Sequence, residues 1–254
     1  GDIYTSSNMM LSLEFSPDSK ILASAMDDTV RLWDVESGQE LSVLSTPKKV
    51  ISNIIFSPDG RFLVTESAQP TEEVKLWNVR TGQELYTFTG SQAIFSPDSK
   101  TLATYRFFGN EVELWETASG QKLQTWSLNT VGEVAFSPDS MLIGIADNKR
   151  EDNSLLKLMN VTTGKEVHTF ISDGNYSNIE DIVFTPDGHT LIYYDNLFGK
   201  DSVVKLWDVN TGQEVSKVAL ETIDFTVFDR LAISPDGKTL VVAGWGDDYY
   251  GFKL

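Results

Sequence analysis

Six times along its 254 residues the chain writes an apolar residue followed by Ser or Thr, Pro and Asp: FSPDSK from Phe15, FSPDGR from Phe56, FSPDSK from Phe95, FSPDSM from Phe136, FTPDGH from Phe184 and ISPDGK from Ile233. Five copies run on to a second phrase: RLWDVESGQEL, KLWNVRTGQEL, ELWETASGQKL, KLMNVTTGKEV and KLWDVNTGQEV. The sixth stops at Phe252-Lys253-Leu254, one residue short of its Trp. A self-similar period of this length means a repeat architecture, because such a unit buries its apolar face only against a neighbour. Residues 1–254 are therefore expected to form a single domain of stacked units.

The first copy shows what one unit is. Leu11, Leu13 and Phe15 alternate with Ser12 and Glu14, which is the period of a strand. Ser16-Pro17-Asp18-Ser19 reads as a tight turn, with Pro presetting φ at its first central position. Gly60, Gly188 and Gly237 take the last turn position in other copies, where a positive φ is needed. Ile21 to Ala25 and Thr29 to Val35 read as two further strands, the latter rich in β-branched and aromatic residues. Glu36-Ser37-Gly38-Gln39 turns the chain into a fourth strand from Glu40 to Leu44. Nothing in the chain has helical periodicity, so the fold class is all-β.

The repeats are spaced 41, 39, 41, 48 and 49 residues apart. The added length in the later copies falls after the second strand, as in Asp147–Ser154 and Tyr194–Ser202, and between copies, as in Ser172–Ile179 and Glu221–Arg230.

Up-and-down four-stranded units carrying these phrases resemble the WD40 repeat, and the resemblance covers essentially the whole chain. It implies a six-bladed β-propeller with four antiparallel strands per blade. It also implies that the Pro-Asp and Gly-Gln turns line one face. The loops after second and fourth strands then line the opposite, top face. The sixth copy lacks a fourth strand, and Asp2-Ile3-Tyr4-Thr5 parallels the fourth strand Glu84-Leu85-Tyr86-Thr87. The N-terminal strand is expected to complete the last blade and close the ring, which removes an open sheet edge.

The chain departs from the family pattern in places. A Gly-His pair before the first strand is absent from every copy, so the buried His–Ser/Thr–Asp–Trp network of WD40 blades cannot form in full. Trp33, Trp77, Trp115 and Trp207 keep the indole position, whereas Met159 replaces it in the fourth copy. Met fills that volume but donates no hydrogen bond, so the fourth blade should rely more on packing.

Chemistry is sparse. With no cysteine, disulfides and thiolate metal sites are excluded. His168 alternates with Val167 and Thr169 in a strand, and His189 follows a turn; neither reads as a catalytic base. The six turn aspartates, Asp18, Asp59, Asp98, Asp139, Asp187 and Asp236, recur in every copy and read as structural. Asp147, Glu151 and Asp152 read as a solvated acidic loop, since no spacing matches an oxygen-ligand cage. No cofactor or metal is expected. A net charge of −17 argues against phosphate-backbone binding and against an anionic membrane surface. No stretch is long and apolar enough for a transmembrane helix, and the N-terminus has no signal-peptide pattern.

The expected top-face loops carry aromatics among charges: Tyr105, Arg106, Phe107 and Phe108; Tyr176; Tyr194 and Phe198; Trp245, Asp247, Asp248, Tyr249 and Tyr250. Such residues on a rigid face are the material of interface hot spots. The expectation is a non-enzymatic platform binding a protein or peptide there, preferably one with exposed Lys or Arg. It is expected to be monomeric as an isolated domain and, by resemblance to bacterial WD40 proteins, cytoplasmic. Two other roles compete: a sensor or regulatory module of a larger chain, and an enzyme or small-ligand binder using the channel.

Overall fold

The computed structural model describes residues 10–47, 49–67, 72–149, 153–175, 177–197, 203–219, 227–245 and 250–253. Among them there is no helix. The first sheet is β1 (Met10–Phe15), β2 (Ile21–Met26), β3 (Thr29–Asp34) and β4 (Glu40–Ser45). The second is β5 (Ile51–Phe56), β6 (Phe62–Ser67), β7 (Glu73–Asn78) and β8 (Glu84–Thr89). The third is β9 (Gln92–Phe95), β10 (Thr101–Tyr105), β11 (Glu111–Glu116) and β12 (Lys122–Ser127). The fourth is β13 (Val131–Phe136), β14 (Leu142–Asp147), β15 (Asn153–Asn160) and β16 (Glu166–Asn175). The fifth is β17 (Ser177–Phe184), β18 (Thr190–Leu197), β19 (Val203–Asp208) and β20 (Glu214–Ala219). The last is β21 (Val227–Ile233), β22 (Leu240–Trp245) and β23 (Tyr250–Lys253). Strands follow one another in order within each sheet. The sixth sheet has three strands among the described residues. The segment expected to supply its fourth, residues 2–6, lies outside them.

The chain divides into two compact units, Gly1–Arg106 with Glu113–Lys122, and Phe107–Val112 with Leu123–Leu254. The first two sheets belong to one unit, the last three to the other, and the strands of the third are shared out.

The repeated words are turn chemistry. In the first copy the Ser16 hydroxyl donates to Asp18 Oδ1 at 2.7 Å and accepts from Ile21 N at 2.9 Å, while Asp18 Oδ1 also accepts from Lys20 N at 3.1 Å. The same three bonds recur at Ser57–Asp59, Ser96–Asp98, Ser137–Asp139, Thr185–Asp187 and Ser234–Asp236. All six turns put the next residue at positive φ. Gly60, Gly188 and Gly237 adopt it freely, but Ser19, Ser99 and Ser140 hold 60–63°. That conformation costs a non-Gly residue about 1–2 kcal/mol. Ser19→Gly is therefore expected to raise stability by about 0.5–1 kcal/mol, read as an increase in Tm. Ser99→Gly should give no such gain, because the buried Ser99 hydroxyl accepts from Asp59 N at 3.0 Å.

Apolar cores lie between consecutive sheets of a unit. In the first unit Ala23, Ala25, Val30, Leu32 and Leu44 close on Ile51, Ile54 and Phe56. Val64, Val74, Leu76 and Phe88 then close on Ala93, Phe95 and Leu102. In the second unit Ala146, Leu156, Leu158 and Phe170 meet Ile179, Ile182, Phe184 and Leu191. Side chains also clip one sheet to the backbone of the next. Glu14 Oε2 accepts from Phe56 N at 2.8 Å, and Glu66 Oε1 from Ala93 N at 2.6 Å. Asn148 bonds both N–H and C=O of Ile179, and Asp181 accepts from Leu231 N.

The first sheet differs from its copies. Leu13 and Phe15 are 52% and 56% exposed, whereas the equivalent Ile54 and Phe56 are 2% and 5% exposed.

One expected loop is absent. The inserted residues 172–179 are largely strand, because β16 and β17 are lengthened rather than joined by a long loop. Asn175 pairs with Asn153, and Ser177 Oγ donates to Ser172 Oγ at 2.6 Å.

Candidate functional site

Among the described residues of the first sheet, the loops after the second and fourth strands meet at one edge. There Thr46 N donates to Asp28 O and Ile51 N to Asp27 O, each at 2.8 Å. In the second unit the chain from Phe107 to Asn110 is laced to residues 128–131. Phe108 N donates to Val131 O at 3.0 Å, Val131 N to Gly109 O at 2.7 Å, and Leu128 N to Asn110 O at 2.8 Å.

This lacing holds two aromatic rings in solvent. Phe107 is 48% and Phe108 70% exposed, and their rings meet edge-on with centroids 4.3 Å apart. Phe108 has φ 60°. A bulky residue in that region is an outlier that surrounding structure must impose. Glu111, three residues beyond Phe108, is exposed as well.

The other residues expected at a partner site divide into two kinds. Tyr105, which ends β10, and Tyr194, within β18, are buried, so they offer no contact surface. Arg106 is exposed in the first unit, where its Nε lies 2.7 Å from Glu72 Oε2. Tyr176, Phe198, Asp247, Asp248 and Tyr249 lie outside the described residues. Trp245 and Tyr250 pair with each other across β22 and β23; only their backbones are described. The aromatic pair Phe107–Phe108 is what the fold presents.

Asp147 is not a solvated loop residue. It is fully buried, accepts from Asn129 N at 2.6 Å and from Asn129 Nδ2, and lies 3.2 Å from Lys157 Nζ. Burial was hidden because Asp147 closes a strand whose neighbours supply its donors. Among the described residues no group of three or more His, Asp or Glu could hold a metal ion. His168 is structural: its Nε2 lies 3.2 Å from Asn210 O, and an added Cβ at Gly212 would fall 2.6 Å from its Nδ1. The turn aspartates Asp18, Asp187 and Asp236 are held below the usual carboxylate range by the Ser/Thr hydroxyl and then by backbone N–H donors. At Asp59 and Asp98 partial burial opposes this, and the hydrogen bonds win.

The WD40 family model (WD domain, G-beta repeat) matches residues 3–34. That stretch carries a WD40 repeat. A curated relative, the U3 small nucleolar RNA-associated protein 21 homolog of Schizosaccharomyces pombe, is 34% identical over 65 residues, 25% of this chain and only 7% of the relative's length. Among solved structures, Kuenenia stuttgartiensis hydrazine synthase superposes with a TM-score of 0.69 at 19% identity, covering 95% of this chain and 77% of that one. That likeness carries the β-propeller fold. WD40 propellers commonly serve as protein-interaction scaffolds.

The WD40 indoles show how the blades manage without the histidine network. Trp33, Trp77 and Trp115 donate to Ser24, Thr65 and Thr104 hydroxyls at 2.9–3.1 Å. In the fourth blade Met159 replaces the indole and Ile145 the hydroxyl, both buried. Donor and acceptor are lost together, so no buried group is orphaned. In the fifth blade Trp207 keeps its indole while Tyr193 takes the hydroxyl position, and Trp207 Nε1 has no hydrogen-bond partner among the described residues. Sequence reading missed a buried carboxyl, Glu66, and a half-buried one, Glu133. The available signal was a charge in a strand row that is otherwise mostly apolar, such as Ala25, Tyr105 and Ala146 beside Glu66.

Proposed function

We propose that this WD40 chain is a non-enzymatic interaction platform whose second unit offers Phe107 and Phe108 to a protein or peptide partner. The observation that supports this is the pair's presentation: two exposed rings on a backbone fixed by three hydrogen bonds, with Phe108 held at positive φ. Exposed aromatics on a rigid backbone bind at low entropic cost. A net charge of −17 and the adjacent Glu111 favour a partner carrying Lys or Arg, so binding should weaken with salt. A cytoplasmic setting is part of the same reading.

The test is partner capture by the parent chain and by variants, side by side. Phe108→Gly removes the ring and releases the strained φ. It is expected to keep or raise Tm while lowering affinity by about tenfold or more. Phe107→Ala should lower affinity comparably. Partner recovery unchanged in both variants would refute the assignment of this patch.

A further inference from the structure

Glu66 sits where its neighbours in the repeat are Ala25, Tyr105, Ala146 and Tyr194. It is 2% exposed. One oxygen accepts from Ala93 N of the third sheet at 2.6 Å, and the other faces Asn53 Nδ2 at 3.1 Å. Asn53 Oδ1 in turn lies 3.2 Å from Ser12 Oγ of the first sheet. A single line of hydrogen bonds thus crosses three consecutive sheets, from β1 through β5 and β6 to β9, all within the first unit.

The charged groups on the surrounding strands are engaged elsewhere. On β1, Glu14 accepts from Phe56 N. On β7, Glu73 pairs with Lys49 and Lys75 with Glu84. Next to Glu66, β5 supplies Ser52, whose hydroxyl donates to the Glu66 carbonyl oxygen at 3.1 Å. The β9 sequence QAIF has no charge. An ionised Glu66 therefore has hydrogen bonds but, among the described residues, no countercharge, in a site that water does not reach.

The line can run in either direction. With Glu66 ionised, Ser12 Oγ donates to Asn53 Oδ1 and Asn53 Nδ2 donates to the carboxylate. With Glu66 neutral, its O–H donates to Asn53 Oδ1 once the amide turns over, and Asn53 Nδ2 donates to Ser12 Oγ, a hydroxyl that serves equally as acceptor. We propose that Ser12, Asn53 and Glu66 form a proton-operated brace across the first three sheets, whose hydrogen-bond direction reverses as Glu66 takes up or releases its proton. The proton is exchanged with solvent, and no covalent bond between heavy atoms changes.

Burial pushes the Glu66 carboxyl up to about 7, against the pull of Ala93 N–H and Asn53. The reversal is thereby set at neutral pH. It acts on the loop edge of the first unit: Ala93 lies two residues beyond Ser91, and the Gly90 and Ser91 N–H groups donate to Glu72 O and Tyr105 O.

The experiment is carbon-13 titration of the glutamate carboxyls in the full chain, with Glu66 identified by the signal lost in Glu66→Gln. The expected midpoint lies near 7 rather than at the ordinary 4.5. The Asn53 side-chain amide should shift with the same midpoint. A Glu66 midpoint near the ordinary value, or an Asn53 amide that does not follow it, overturns the proposal. Thermal melts add a second reading: Glu66→Gln should raise Tm relative to the parent at about pH 8 more than at about pH 5. An equal difference at both overturns it, and if that variant does not fold, the Asn53 side-chain amide of the parent, assigned through its own backbone, decides by whether it shifts with a midpoint near 7.

Discussion

Truncating Phe56 to Ala is expected to cost about 3–5 kcal/mol, and truncating Phe15 less than about 1 kcal/mol, although both open the same four-residue phrase. Phe56 is closed between Ala23, Ala25, Leu32 and Leu44 of one sheet and Leu63 and Trp77 of its own. Its removal leaves a cavity that rigid strands on either side cannot fill. Phe15 has the same local sequence, but more than half its surface is in water. Chemical unfolding of the two variants measures the difference directly. An equal, large cost at Phe15 would mean that the outer face of the first sheet is covered in solution, as the expected ring closure requires. A small cost would mean that closure does not stabilise the fold through this residue.

The second large effect is on pH. Stability should rise as the pH falls from about 7 to about 4.5 and drop again below about 3.8. Burial pushes Glu66 and Glu133 up to about 7. At Glu133 repulsion from Asp181 adds to burial, and Arg230 opposes it. Glu14 and Glu180 are raised by burial in the same direction. Each group binds its proton more tightly folded than unfolded. Its contribution is therefore fully present below the unfolded value of 4.5 and lost as pH rises through the folded one. The two groups near 7 are together worth on the order of a few kcal/mol. The turn aspartates have the opposite sign. Their carboxyls are held below 3.8, so their contribution is lost on further acidification. Self-repulsion from a net charge of −17 adds to the decline toward neutral pH. Melting curves from about pH 3 to pH 8 at low protein concentration test this, since the pI near 4.4 limits solubility in the middle of the range. A Tm that peaks above neutral pH would contradict the buried-carboxyl argument.

The chain's sequence determined its strands, its turns and the order of its sheets. The reason is locality. Ser16, Asp18 and Ile21 satisfy one another within five residues, as do Asp34, Ser37 and Gly38. No partner from elsewhere is needed, so six copies of the phrase give six copies of the turn. The Met159 exchange was legible for the same reason, since an indole position lies at a fixed offset in each repeat. Sequence also nominated the loop of Phe107 and Phe108, because Gly109 follows two aromatics where a strand must end.

Burial was decided by tertiary structure. Tyr105 and Phe107 are two residues apart in a stretch of similar composition, yet one is core and the other is exposed. Asp147 looked like loop charge and is buried beside Asn129 and Lys157. Glu66 gained its role from Ala93 and Asn53, 27 and 13 residues away. Phe15 and Phe56 make the point with identical words: a residue's own strand fixes which way it faces. Whether another sheet stands there to cover it is a property of the assembled fold.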